Sequence, residues 1–254
     1  MVWSARDQDL RRGLTRDRLI VVSALLIVVG LAWAYLWTGA GMSMMMPAEW
    51  TPGYAVLMFF MWWIMMVAMM LPSATPMILV YSRANHQQLT TARAGFATGV
   101  FVFGYLATWA AFSLAATLAQ WAFERNGLLT PALVSTSVFL SAGILIAAGL
   151  YQLTPLKRAC LRHCRSPLAF ISTHWRPGVL GALKMGIVHG AFCVGCCWFL
   201  MGLLFVGGVM NLYWIAGIAL FVLIEKIVPA GHWLDYATGG VLLVWGVGIL
   251  VFAI

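Results

Sequence analysis

Long, almost uncharged stretches of apolar residues recur along this chain and constrain its fold more than any other feature. A helix needs about 20 mainly apolar residues to cross the hydrocarbon core of a membrane. Of the 254 residues, 63% are hydrophobic and only 9% are charged, whereas about a quarter of the residues in a soluble domain are charged. The sequence therefore predicts an all-α, polytopic transmembrane helical bundle with no separate soluble domain.

We predict about seven spans within a single integral membrane domain, residues 1–254. The spans are about 19–37, 54–80, 95–122, 131–153, 179–206, 209–228 and 236–254. Basic residues precede the first span, as they do in a signal peptide. Its apolar run is longer than a usual signal-peptide core, however, and no small-residue cleavage site closes it. We therefore interpret it as a retained helix.

The positions of lysine and arginine predict the orientation of the bundle. Five arginines precede the first span and five basic residues lie in 154–178, whereas 38–53 has none and 123–130 has one. Because cytoplasmic loops carry the excess of basic residues, we place the N-terminus and 154–178 inside, facing the cytoplasm of a bacterial inner (plasma) membrane. The net charge of +8 then comes from basic residues in segments that connect the spans and orient the protein in the lipid bilayer, its expected partner. We do not expect nucleic-acid binding.

The fifth predicted span carries a cluster of metal-competent side chains. Its members are His189, Cys193, Cys196 and Cys197. Steps of four and seven residues return to nearly the same face of a helix, so the first three point one way and Cys197 lies about 80° round from His189. Ionisable residues inside a span usually mark function, and thiolate with imidazole suits Cu(I) or zinc. The Cys193–Cys196 spacing also fits thiol–disulfide exchange, and both interpretations stay open.

Methionines form two further groups of soft side chains. In the second span, an arc of about 80° holds Met58, Met61, Met65 and Met69, flanked by Met66 and Met70. The outward segment 38–53 carries Met42, Met44, Met45 and Met46. Thioethers select Cu(I) over hard cations, but methionine is also a common flexible filler of apolar cores. Both groups are therefore candidate ligands with a packing alternative.

Two prolines lie close together near the end of the second span. Pro72 and Pro76 each remove a backbone hydrogen bond, which should kink or break the helix. Broken helices at membrane depth occur where freed carbonyls are buried or line a cavity, often at transport sites. We therefore predict a structural or gating role for the two prolines.

The basic segment 154–178 adds Cys160, His163 and Cys164. The two cysteines are one helical turn apart. Neighbouring lysine and arginine lower the pKa of a thiol, and the cytosol keeps thiols reduced. We expect a second set of ligands here, or alternatively a simple basic anchor, a role that the lysine and arginines serve in either case.

Glu225 and Lys226 are the last charged pair of interest. They lie near the inner end of the sixth predicted span, so their side chains can reach the membrane interface. The alternatives are gating and a charge pair that holds helices together.

Several of these motifs together resemble a known family. They are residues 62–76, residues 151–157 with Cys160 and Cys164, His189-Gly190 with residues 193–198, and Glu225-Lys226. This combination is similar to an uncharacterised bacterial family of predicted metal-binding integral membrane proteins. The resemblance covers roughly residues 50–230 and implies a bound metal without identifying it. The methionines at 42–46 lie outside it.

The distribution of soft ligands favours a protein that handles copper(I), as a transporter or as a donor to a copper enzyme. Such ligands occur in the outward segment, in the second and fifth spans and in the basic segment. One alternative is a membrane thiol–disulfide oxidoreductase that uses Cys193 and Cys196. Another is a structural subunit or assembly factor of a larger membrane complex, in which the cysteine face holds zinc or packs against another membrane subunit.

Overall fold

The computed structural model describes residues 5–39, 50–86, 89–228 and 233–253, and this part of the chain is helical. The helices are α1 (Ala5–Trp37), α2 (Pro52–His86), α3 (Thr91–Arg125), α4 (Val138–Gln152), α5 (Pro155–Arg165), α6 (Pro167–His174), α7 (Gly178–Gly202), α8 (Leu204–Gly207), α9 (Leu212–Ile227) and α10 (Trp233–Ala253). The prediction of an all-α protein is confirmed.

Several of these helices are long and apolar enough to cross a membrane. Among the described residues, they are 18–37 of α1, α2, 92–125 of α3, 178–207 and α10, and α4 with α5 would form a sixth crossing bent by 66°. These helices are those of a multi-pass membrane protein. Helix α9 has only 16 residues, fewer than the usual length of a span. The count of seven crossings therefore stays a prediction.

One predicted boundary differs from the structure. The fourth helix begins at Val138 rather than near 131, because Leu129 and Ser135 pair in an antiparallel bridge and Ser137 caps the helix by accepting from the Leu140 amide. Segment 154–178, which connects two predicted spans, is mostly helical. Its two helices, α5 and α6, each begin with a proline in the first turn, where the missing amide proton costs nothing.

Of the two outcomes expected at Pro72 and Pro76, a break of the helix does not occur, and a kink stays a prediction. Helix α2 continues through both of them. In this turn, Ser73 Oγ and the Tyr105 hydroxyl both donate to the Met70 carbonyl, at 2.8 and 3.1 Å. The second of these bonds joins α2 to α3.

The packing of α3 against α7 positions the candidate site. A Cβ added at Gly186 would lie 2.1 Å from the Phe101 carbonyl oxygen, and one added at Gly104 would lie 2.5 Å from that of Leu183. Only glycine allows the two backbones to come this close, as at other membrane helix contacts. This approach brings Tyr105 of α3 against the cysteines of α7.

Candidate metal centre

Cysteines from two helices meet in the interior. We call Cys164 of α5 with Cys193, Cys196 and Cys197 of α7 the thiol cluster. The three α7 thiols are at most 1% exposed, and Cys164 is half-buried. The side chain of Cys164 lies near those of Cys193 and Cys196. Two groups of candidate ligands that are about 30 residues apart in sequence thus form one cluster.

The other two α7 thiols turn back toward Cys193, and one of them meets a methionine. Cys196 Sγ and Cys197 Sγ donate to the Cys193 carbonyl at 3.1 and 3.0 Å. Cys197 Sγ also lies 3.9 Å from Met70 Sδ of α2. A thioether therefore lies against the thiols.

Cys193 is surrounded by polar groups from other helices. Lys226 Nζ of α9 lies 3.0 Å from Cys193 Sγ and 2.9 Å from Ser73 Oγ. The Tyr105 hydroxyl lies 3.1 Å from the same sulfur. Lys226 is only 7% exposed, so the expectation that it reaches the membrane interface is wrong. Its ammonium turns inward because a sulfur and a hydroxyl accept its hydrogen bonds there.

A second buried charged group lies beside the cluster. Lys157 Nζ of α5 donates to a carboxylate oxygen of Glu225 and, at 2.8 Å, to Asp235 Oδ1 of α10. Lys157 and Glu225 are fully buried. Glu225 therefore does not extend to the interface, and Lys157 is not a surface anchor as the basic segment suggested. Sequence reasoning missed Asp235, whose signal was a carboxylate at the start of an apolar helix.

Cys160 lies at the edge of the thiol cluster. It is half-buried, and its Sγ lies 2.9 Å from the position that a Cβ on Gly195 would occupy. The Tyr151 hydroxyl donates to the Gly195 carbonyl on the same turn of α7. Helix α5 therefore brings both of its cysteines against α7.

The two candidate histidines have aromatic surroundings. His189 is 2% exposed, its ring centroid lies 5.8 Å from that of Tyr105, and its Nδ1 has no hydrogen-bond partner among the described residues. His163 stacks on Phe192 at 4.0 Å, and its Nδ1 lies 2.9 Å from the Ala159 carbonyl oxygen. His163 is thus packed against a ring, while His189 keeps an unused ring nitrogen.

The methionines of α2 differ in their surroundings. All six predicted there are at most 2% exposed: Met58, Met61, Met65, Met66, Met69 and Met70. Met65, Met69 and Met70 all belong to one buried core together with the cysteines of α7, and Met70 also contacts the thiol of Cys197. Met42, Met44, Met45 and Met46 lie outside the described residues.

The donor atoms that meet here are soft. Thiols and a thioether suit Cu(I) and related soft ions rather than Mg²⁺, Ca²⁺ or Mn²⁺. In the part of the chain that the structure describes, no three His, Cys, Asp or Glu side chains have the arrangement of a metal site.

The buried sulfur donors of this multi-pass helical protein suit soft transition metals. The family model PpoB2, described as a copper chaperone, matches residues 59–249. The chain belongs to this family of copper chaperones, and the prediction of copper handling is confirmed. The family thus has an assigned role, so the label of an uncharacterised family is corrected. A chaperone hands its copper to a recipient protein. Comparisons with curated proteins and with solved structures gave no match.

Proposed function

We propose that this protein binds copper as Cu(I) within a bacterial inner membrane and passes it to a copper enzyme or another membrane subunit. Cys193 and Cys196 are the proposed principal ligands. The observation that supports this most strongly is that both buried thiols lie near Cys164, a half-buried residue on a different helix. A metal held by the inner pair is then next to a thiol that lies closer to the surface.

The proposed transfer is an exchange of sulfur ligands. A thiol that binds copper releases its proton, and a thiol that is released regains one. Cys164 replaces one sulfur of the inner pair, and the oxidation state of copper does not change. Met70 and Cys197, whose sulfurs lie 3.9 Å apart, provide a further pair of sulfur atoms to which copper could bind. Copper therefore moves between adjacent sulfurs without becoming free in the membrane interior.

The orientation that we propose has the N-terminus inside and seven crossings, and it is supported by the distribution of basic residues. Reporter fusions after residues 45 and 126 should read outside, and fusions after residues 88 and 165 should read inside. If 38–53 and 154–178 lie on the same side of the membrane, this topology is wrong.

The metal assignment is tested on protein purified without oxygen. Wild-type protein should hold copper with a Cu(I) X-ray absorption edge and sulfur neighbours. The Cys193→Ser, Cys196→Ser double variant should lose at least about half of its copper, because only thiolates and thioethers retain this ion well. Cys160→Ser is the matched control and should keep its copper. Zinc in place of copper would support the assembly role, and a metal-free protein with a titratable dithiol would support the oxidoreductase; either result contradicts the proposal.

Delivery is tested separately in cells. A strain that lacks the protein should lose activity of a membrane copper enzyme at low copper, and wild-type protein should restore it. The double cysteine variant, matched in expression by immunoblot, should not. Full restoration by this variant would show that delivery does not pass through Cys193 and Cys196.

A further inference from the structure

A buried ammonium lies against the proposed copper ligands. Lys226 is 7% exposed, and its Nζ donates to Ser73 Oγ and Cys193 Sγ, at 2.9 and 3.0 Å. A charge in a dry interior is costly unless an opposite charge compensates it. Ser73 is neutral, so the sulfur supplies any compensating charge in this pair of contacts.

Glu225, the carboxylate nearest to Lys226 in sequence, is already paired with another cation. Glu225 accepts from Lys157, which also binds Asp235 at 2.8 Å. Consecutive residues of a helix point about 100° apart, so Glu225 and Lys226 serve different sides of α9. The charge of Lys226 is thus directed to the thiol cluster.

The charge balance depends on the valence of the bound metal. Two thiolates and one Cu(I) carry a net charge of minus one, which the ammonium cancels. Two thiolates and a divalent ion are already neutral, so the ammonium is then left uncompensated. A third thiolate would restore the balance, but no three His, Cys, Asp or Glu side chains within the described residues are arranged for a metal. In a medium of low dielectric constant, such a difference in charge outweighs small differences in bond strength.

We propose that Lys226 makes the site selective for monovalent over divalent soft ions, by balancing the charge of a metal dithiolate without touching the metal. This inference rests on the proposed Cu(I) site. It assigns Lys226 a role in specificity in addition to that of a helix contact.

The wild-type protein provides the first test. Purified without oxygen, it should bind Ag(I), which is soft and monovalent, in competition with Cu(I). It should bind Cd(II), which is soft but divalent, at least about tenfold more weakly than Ag(I). Comparable binding of Cd(II) and Ag(I) would show that softness alone selects the metal and would overturn the inference.

Variants at position 226 separate charge from shape. In competition between Cu(I) and Zn(II), Lys226→Met should lower the ratio of bound copper to bound zinc about tenfold or more, because the compensating charge is lost. Lys226→Arg should keep a ratio near that of wild type. Lys184→Met, which removes an exposed lysine from α7, is the control and should behave as wild type. If Lys226→Met does not fold, Lys226→Gln keeps a hydrogen-bond donor without the charge and should show the same loss.

The two proposals fail in different ways. A wild-type protein that holds no Cu(I) would contradict the proposed function itself. A wild-type protein that holds Cu(I), with an unchanged metal ratio in the neutral variants at position 226, would contradict only the role of Lys226. An equal loss in the arginine variant would show that lysine's shape, rather than its charge, is what the site needs, and would also overturn the inference.

Discussion

The thiol cluster and the methionine stripe of α2 are two buried groups of soft sulfur atoms at helical spacing, and only one of them has the surroundings of a site. The stripe consists of Met58, Met61, Met65 and Met69. These side chains lie in the same buried core as the cysteines of α7, and flexible methionines commonly fill such cores. The cluster instead meets an ammonium and a phenol from α9 and α3 and a thioether from α2.

The spacing of cysteines and methionines along a helix therefore identifies a shared face, whereas the groups that they contact on other helices identify a site. A cation and hydroxyl groups stabilise the charge that thiolates carry when they bind a metal. Apolar neighbours offer no such compensation. Four sets of substitutions test this difference between the thiol cluster and the methionine stripe.

We expect the largest effect when Lys157, which pairs with Glu225 and Asp235 beside the thiol cluster, loses its charge. Lys157→Met leaves the carboxylates of Glu225 and Asp235 buried without their cation, which should lower the free energy of unfolding by about 3–5 kcal/mol. Helix α5 should then be held less firmly against α9 and α10, and Cys164 should react faster with a maleimide. Thermal unfolding in detergent and labelling rates measure the two effects, with Lys184→Met as control. A variant as stable as wild type would show that the thiol cluster does not depend on the contacts of Lys157 with the two carboxylates.

A smaller effect is expected at the thioether beside the thiols. Met70→Leu keeps the apolar volume and should cost less than about 1.5 kcal/mol of stability. Because leucine cannot bind copper, the affinity for Cu(I) should fall about fivefold. Competition with a Cu(I) chelator measures this, and Met58→Leu on the stripe is the matched control. Equal affinities of the two variants would remove Met70 from the site.

Tyr105→Phe should have a modest effect on stability. The change removes the hydroxyl that contacts the Met70 carbonyl and Cys193 Sγ, and the loss of a buried hydrogen bond costs about 1 kcal/mol. Chemical or thermal unfolding should show this loss while the copper content stays near that of wild type. A copper content that falls as far as in the cysteine double variant would instead make the hydroxyl part of the binding site.

The smallest effect is expected on the stripe itself. Met65→Leu with Met69→Leu conserves apolar volume, so stability, copper content and activity of the copper enzyme at low copper should all remain close to wild type. Reduced delivery at equal expression would show that these two methionines take part in copper transfer. The methionine stripe would then not differ from the thiol cluster in function.

Most features with a local cause could be predicted from the sequence. The apolar stretches predict membrane helices because the length of a span follows from the thickness of the bilayer. The shared face of His189, Cys193 and Cys196 follows from helix geometry, and all three are buried as expected. The sulfur donors favoured copper and left zinc as an alternative, and the family match confirms copper handling.

Only the tertiary structure decided which residues meet. Lys157 is 68 residues from Glu225 and 78 from Asp235, and Met70 is 127 residues from Cys197. No periodicity links positions so far apart, because helix geometry relates only residues within a few turns. The inward turn of Lys226 has the same origin. A charged side chain near a helix end has two outcomes, the interface or a buried partner, and the choice depends on what the neighbouring helices bring to that end.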